Sequence, residues 1–207
     1  MIVAATVDDQ APPHLRGKGK AWVTAEYSML PKSSRERIRR ERDRVGGRTH
    51  EIQRLIGRAL RSVTSMEGWG ERTITIDCDV LRADGGTRTA SITGAFVALA
   101  LALKHLRKTN AKISPNLEFP LRHLVSAVSV GIVQGSPMLD LDYSEDSTAE
   151  TDMNLVMSSD GRIIEIQGTA EREPFSEAEF QALLSLGKKG CKELCAAQEA
   201  AIGALKW

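Results

Sequence analysis

Residues Thr73–Val80 alternate strictly, with Ile74, Ile76, Cys78 and Val80 on one side and Thr73, Thr75, Asp77 and Asp79 on the other. A period of two sends these sets to opposite faces of a pleated strand, one against a core and one toward water. The flanking segments have a different period. Upstream, Ile52, Leu55, Ile56, Ala59, Leu60 and Val63 recur at i, i+3, i+4, i+7, i+8 and i+11, the apolar stripe of an amphipathic helix. Downstream, Phe96, Leu99, Ala100, Leu103 and Leu106 lie in a run so rich in small and apolar residues that it implies burial on most sides. Further strands are read at Met1–Val7 and at Ala21–Leu30, the second rich in aromatic and β-branched residues and closed by Pro31.

Residues 109–120, with Pro115 and Pro120, read as a linker. Beyond it, Val125–Val133 and Met138–Tyr143 read as strands joined by Gly135-Ser136-Pro137. Met153–Met157 and Arg162–Gln167 form a hairpin around Ser159-Asp160-Gly161. Ser176, with Glu179 three residues on, is a capping box opening a last helix, which Gly187 and Gly190 are expected to bend or break. The order implies an α+β protein of two related lobes, residues 1–108 and 121–207.

Composition excludes several classes. With 42% hydrophobic and 27% charged residues, the chain has neither the polarity of disorder nor a fibrous repeat. Its first apolar run lacks a basic leader and is too short for a membrane span. Three cysteines with no CxxC pair, and four scattered histidines, disfavour a disulfide framework and a zinc site and fit a reducing cytoplasm. Cys191 and Cys195, four apart, read as small residues on a packed helix face.

Charge is segregated. Lys32 to Arg48 holds eight basic residues against three acidic ones, a balance of +5 in a chain of net charge +1, so the remainder is net −4. A basic stripe on a nearly neutral protein points to one anionic partner met by one face. Its composition suits a helix or a loop, and charge runs are often only solvated surface. The counterweight is Leu139–Asn154, where Asp140, Asp142, Glu145, Asp146, Glu150 and Asp152 put six carboxylates into sixteen residues. Such crowding suits a hard cation held by carboxylate oxygens and substrate phosphates, or a solvated acidic turn.

Two further segments share a pattern. Gly46-Gly47-Arg48-Thr49 and Gly85-Gly86-Thr87-Arg88-Thr89 each put paired glycines, an arginine and a threonine just before a helix. Unpaired N–H groups and the positive end of the dipole attract anions there, and arginine adds a planar fork for phosphate oxygens. Singly, each is more often a capped helix start. Together with a basic stripe and an acidic loop they are the parts of a phosphoryl-transfer site acting on a nucleic acid.

Gly19–Pro31, Gly46–Thr49 with Glu51–Ile56, Asp77–Val80 with Asp84–Ala90, Glu145-Asp146-Ser147 with Asp152-Met153-Asn154, and Glu165–Glu171 together closely resemble bacterial ribonuclease PH across essentially the whole chain. The resemblance implies mixed sheets packed with helices and a cytoplasmic phosphorolytic 3′→5′ exoribonuclease that trims the 3′ ends of tRNA precursors and other RNAs, rRNA included. Inorganic phosphate is its co-substrate and nucleoside diphosphates are its products. Carried over by residue, Arg48, Gly86, Thr87 and Arg88 bind phosphate, while Asp146 and Asp152 are catalytic and hold Mg²⁺ or Mn²⁺. Arg35, Arg37, Arg39 and Arg40 of the stripe are the expected RNA contacts, and a homo-hexamer, a trimer of dimers, is the expected assembly. Two departures stand out: Met1 aligns with the middle of the family's first lobe, so its first strands are expected to be missing, and Ala21 stands where the family has glycine. A non-catalytic RNA-binding ring subunit and a Mg²⁺-dependent enzyme acting on free nucleotides are the rival readings.

Overall fold

The computed structural model describes residues 1–41, 44–110, 113 and 116–206. Arg42 and Asp43 of the basic stripe, Ala111, Lys112, Ser114 and Pro115 of the expected linker, and Trp207 lie outside the described residues. In chain order the elements are β1 (Ile2–Asp8), a 3-10 turn (Pro13–Leu15), β2 (Trp22–Met29), α1 (Gly47–Val63), β3 (Thr73–Val80), α2 (Thr87–Thr109), β4 (Val125–Val133), β5 (Ser136–Leu139), α3 (Tyr143–Asp146), β6 (Thr151–Ser158), β7 (Ile163–Ala170) and α4 (Glu177–Ile202).

The first sheet has the order β1-β3-β2, with β1 antiparallel and β2 parallel to the central strand. The parallel pairing requires a crossover, which α1 provides. Alternation along β3 is realised as read: Ile74, Ile76, Cys78 and Val80 are buried. With Val23, Ala25 and Tyr27 of β2 they face α1 and α2. On α1, Ile52, Leu55, Ile56 and Leu60 are fully buried, each stabilising the fold by about 1.5–3 kcal/mol. Helix α2 is long and apolar enough to cross a bilayer, but half of its most apolar window is buried inside the fold.

The second sheet is antiparallel in the order β5-β4-β6-β7, with β4 between β5 and β6. One face, with Val128, Val130, Ile132, Met153, Leu155 and Met157, packs on α4. The other contributes Ala127 and Val156 to the core shared with α1 and α2. Burial on both faces explains why β4 is almost continuously apolar. The two lobes therefore share one core rather than being joined by a free tether: Ile113, inside the expected linker, is buried in it, and Leu117 and Phe119 pack on it.

Because β5 spans only four residues, part of β4 has no strand beside it on that side. Buried backbone groups there need other partners. Thr93 of α2 supplies one set, its Oγ1 accepting from the Ala127 N–H (3.1 Å) and donating to the Ala127 carbonyl (3.3 Å). Gln198 of α4 donates to the Val125 carbonyl at 2.7 Å and to the Thr93 carbonyl at 2.9 Å. These bonds dock α2 and α4 on the sheet edge.

Two expectations are corrected. Gly187 and Gly190 do not break α4, which runs unbroken from its Ser176–Glu179 capping box to Ile202. Both glycines are contact points, since a Cβ would come within 2.6 Å of Leu155 at Gly187 and 2.8 Å of Leu139 at Gly190. The second correction concerns Met138–Tyr143. Strand β5 ends at Leu139, and Tyr143 opens the short helix α3. Asp140 adopts a left-handed backbone (φ 60°) and Asp142 becomes an N-cap, which turns the chain away from the strand direction.

Candidate active site

The first elements of the site are the two helix starts. Helix α1 begins at Gly47, so Arg48 lies in its first turn rather than ahead of it. Helix α2 begins at Thr87 after Gly85 and Gly86, both in the left-handed region (φ 78° and 53°). Neither N-cap is satisfied by a side chain. At α1 the Glu41 carboxylate accepts from the Thr49 hydroxyl at 3.1 Å. At α2 the hydroxyls are ordered: Tyr27 donates to Thr87 Oγ1 (2.9 Å), and Thr89 Oγ1 donates back to the Gly86 carbonyl (2.8 Å).

Opposite stands the second lobe. Strand register puts Ser129, Asn154 and Gln167 abreast across β4, β6 and β7, with Gly131, Asp152 and Thr169 in the next row. In the row on the other side, Ala127 and Val156 begin the shared core, and Glu165 beside them pairs with Arg58. The helix-facing side of this sheet thus turns from apolar to polar where the core ends and a cleft opens.

The acidic stretch is not one loop of six equivalent carboxylates. Asp142 Oδ1 accepts from the Ser144 N–H (2.8 Å), the Ser144 hydroxyl (2.7 Å) and the Glu145 N–H (3.0 Å). Glu145 returns the contact by accepting from the Asp142 N–H at 3.0 Å. The Ser144 hydroxyl, then the Glu145 N–H, hold the Asp142 carboxyl below its ordinary range. This capping box builds α3, which carries Asp146 as its last residue. Glu150 accepts from the Gly135 N–H at 3.3 Å. Asp152 is a strand residue, its direction set by β-pairing.

A cleft of about 640 Å³ brings these parts together: Arg35, Arg37, Arg48, Gly86, Thr87 and Arg88 on one side, Ser129, Tyr143, Asp146, Asp152 and Asn154 on the other. Arg35, Arg37 and Arg48 form no ion pair among the described residues. Among the described residues Arg88 makes long contacts, 3.6 Å to Glu51 Oε2 and 3.5 Å to Gln167 Oε1. Gln167 in turn donates to Glu165 at 3.0 Å, and Glu165 takes a two-bond fork from Arg58 of α1 at 2.9 and 3.0 Å. This chain of contacts ties α1, α2 and β7 around the cleft. Arg39 and Arg40 are exposed but do not line it, so the basic stripe divides into residues that face the cleft and residues that face solvent.

Burial raises the Asp152 carboxyl above its usual range, with Asp146 and Glu171 adding repulsion and Arg88 opposing it. Asp146 and Asp152 are therefore close enough to feel each other. The described residues contain no cluster of three or more metal-type side chains; Asp146 and Asp152 are the pair of carboxylates that lines both this cleft and the smaller one beside Glu171. That set suits Mg²⁺ or Mn²⁺ completed by water and phosphate oxygens, and does not make an all-protein cage. The cysteines stand apart: burial pushes Cys78 up to about 12 and Cys191 up to about 11, which keeps both as unreactive thiols.

Sequence reasoning had not placed Ser129 or Tyr143 in the site. Ser129 is one of two serines, with Ser126, inside a strand that is otherwise apolar, and the sequence does not distinguish the one that faces the cleft. Tyr143 gave no signal, because it reads as the end of a strand until Asp142 is seen to cap.

Residues 1–104 match domain 1 of the 3′ exoribonuclease family, RNase PH, and residues 123–190 match its domain 2. The chain belongs to this family. Solved structures of similar fold include rice (Oryza sativa) Rrp46, at 18% identity and a TM-score of 0.71 over 97% of this chain and 83% of that one. An archaeal exosome core matches at 17% identity and a TM-score of 0.68, over 96% and 75% of the two chains. The Archaeoglobus fulgidus exosome with RNA bound to the active site matches at 16% identity and a TM-score of 0.72, over 94% and 77%. The family's two-domain α+β architecture is the one described above.

Proposed function

We propose that this chain is a phosphorolytic 3′→5′ exoribonuclease of the bacterial ribonuclease PH kind, trimming tRNA precursors and other RNAs with inorganic phosphate as nucleophile. One observation carries the reading: a single cleft faces the starts of α1 and α2, with Arg48 and Arg88, toward Asp146 and Asp152. An anionic nucleophile and an anionic phosphodiester can meet only where cationic groups neutralise both.

In this reading Arg48, Arg88 and the first N–H groups of α2 hold phosphate, and the Thr87 hydroxyl, already accepting from Tyr27, turns its own hydrogen to the anion. A phosphate oxygen forms the new bond to the terminal phosphorus. The bond from that phosphorus to the 3′-oxygen of the preceding nucleotide breaks. The departing oxygen takes the proton that the attacking hydrogenphosphate gives up and becomes the new 3′-hydroxyl, and the product is a nucleoside 5′-diphosphate. Asp146 and Asp152 hold the divalent cation, and Asp152, strained by burial and by its neighbour, is a carboxylate that a cation relieves. When bound, the metal supplies Lewis-acid stabilisation of the developing negative charge. Arg35 and Arg37 follow the RNA backbone, and the exposed Tyr143 ring offers a base a stacking face. The chain works in a ring with RNA-binding surface shared between subunits, a homo-hexamer, in the cytoplasm.

The test is incubation with a 3′-extended RNA, Mg²⁺ and inorganic phosphate. Nucleoside diphosphates that form only when phosphate is present are expected. Monophosphates, or release without phosphate, would refute phosphorolysis, and tight RNA binding without release would assign the chain a scaffold role in such a ring.

The divided stripe gives a sharper test. Arg37→Ala is expected to flatten the salt dependence of RNA binding by roughly one unit of slope, as loss of one phosphate contact does. Arg39→Ala and Arg40→Ala are expected to leave it within half that change. Equal effects at all three positions would mean that the cleft-lining set is not the RNA path.

A further inference from the structure

Ser129 is a buried hydroxyl without a bond. Its residue is only 4% exposed, and among the described residues its Oγ has no hydrogen-bond partner. Buried polar atoms of this kind are rare, because each gives up water without replacement. The rest of the residue is ordinary strand: its carbonyl accepts from the Asp140 N–H at 2.8 Å. The hydroxyl is aimed at the start of α2. A Cβ built on Gly86 would lie 3.3 Å from Thr89 Oγ1, 3.8 Å from Ser129 Oγ and 3.9 Å from Asp140 Oδ1, and glycine leaves that space empty.

The other hydroxyls at this helix start are engaged. Thr89 donates to the Gly86 carbonyl and Tyr27 donates to Thr87. Helix α2, 23 residues long, has no side-chain cap. Ser129 lines the same cleft as Arg48 and Arg88. Three independent facts therefore meet at one place: an uncapped helix N-terminus, arginines of which Arg48 has no ion pair among the described residues and Arg88 only a 3.6 Å contact to Glu51, and an orphan hydroxyl supplied by the opposite lobe.

We infer that Ser129 is a further ligand of the phosphate, donating its hydroxyl to an oxygen of the anion held at the start of α2. The assignment rests on the phosphorolytic reading and deepens it. Phosphate then bridges the two lobes, bonded to α2 on one side and to β4 on the other, and its binding fixes the width of the cleft. Ser129 acts on the nucleophile only; RNA is held by other residues.

Ser129→Ala decides the matter. A hydrogen bond to a charged group corresponds to roughly a tenfold or greater loss when removed, so the KM for phosphate should rise about tenfold while the KM for RNA stays within twofold. The variant should melt at or above the wild-type temperature in phosphate-free buffer, since it removes an unsatisfied group, and its melting temperature should rise less than the wild type's on titration with inorganic phosphate. An unchanged phosphate KM in an enzyme that is phosphorolytic overturns the ligand role and leaves the proposed function standing. A lower melting temperature with an intact phosphate response makes Ser129 a structural serine and overturns it as well. If the wild type releases no nucleoside diphosphate, the phosphorolytic reading fails, and the melting titration still decides: an equal response in both proteins, or none in the wild type, removes Ser129 from any phosphate site.

Discussion

Gly85→Ala is expected to lose more stability than a left-handed backbone alone explains and to lower turnover roughly 100-fold, the penalty for displacing reacting groups by about 1 Å. Gly85 has φ 78°, where a residue with a Cβ is strained by about 1–3 kcal/mol. The larger obstacle is across the lobe boundary. A Cβ there would sit 2.3 Å from the Leu141 carbonyl oxygen and 3.0 Å from the Asp142 carbonyl carbon. Both are backbone atoms, so no side chain can swing aside. Either the turn that presents Gly86, Thr87 and Arg88 must move, or the segment that caps α3 and places Asp146 must move. Both walls of the cleft are set by this one contact. Gly161→Ala is the control: φ is 85° but nothing lies within 4 Å of the new Cβ, so it should show the dihedral strain alone and full activity. Equal melting shifts for the two variants, with turnover retained in Gly85→Ala, would show that this contact does not position the site.

That contact also marks what a sequence can and cannot disclose. Thr73–Val80 was legible to the residue because a one-sided sheet imposes period two on its central strand. The α1 stripe was legible because one helix face packs on β2. The Leu139–Asn154 stretch was legible as to which residues matter and not as to how they are held. Helix α3 is four residues long, too short to display a helical period, and its existence depends on the reciprocal bonds of Asp142 and Glu145. Asp152 looked like a loop residue because its strand opens only one residue before it, and strand direction is set by pairing with Gly131 and Thr169, which are 21 and 17 residues away. The same holds for Ser129 and Asn154, neighbours by register and 25 residues apart in sequence. The separation of Arg37 from Arg39 and Arg40 was hidden for another reason: a run of like charges carries no period, and only the fold decides which members face a cleft.

Asp152→Asn is expected to cut phosphorolysis by about 10³-fold, within the range spanned by positioned acid–base groups and metal ligands, while RNA binding at constant salt stays near wild type. Its effect on stability should run the other way. Burial, with Asp146 and Glu171 adding to it, raises the folded-state carboxyl above its ordinary range near 4. A raised acid holds its proton longer in the folded state than in the unfolded chain. Between the two values the unfolded state binds fewer protons, so stability falls as pH rises through that window and stays reduced above it. Asparagine has nearly the same shape and never ionises, which removes that penalty. In divalent-free buffer the variant should therefore melt above the wild type at pH 7, and the two curves should converge as the pH is lowered toward 4. With Mg²⁺ added the order should shrink or invert, because a cation relieves the wild-type pair and has only Asp146 left in the variant. An enzyme that keeps its turnover as Asp152→Asn would remove this residue from the chemistry. A variant that melts lower at pH 7 without metal would mean that Asp152 is a structural anion held by Arg88, and that the strain behind the proposed cation site does not exist.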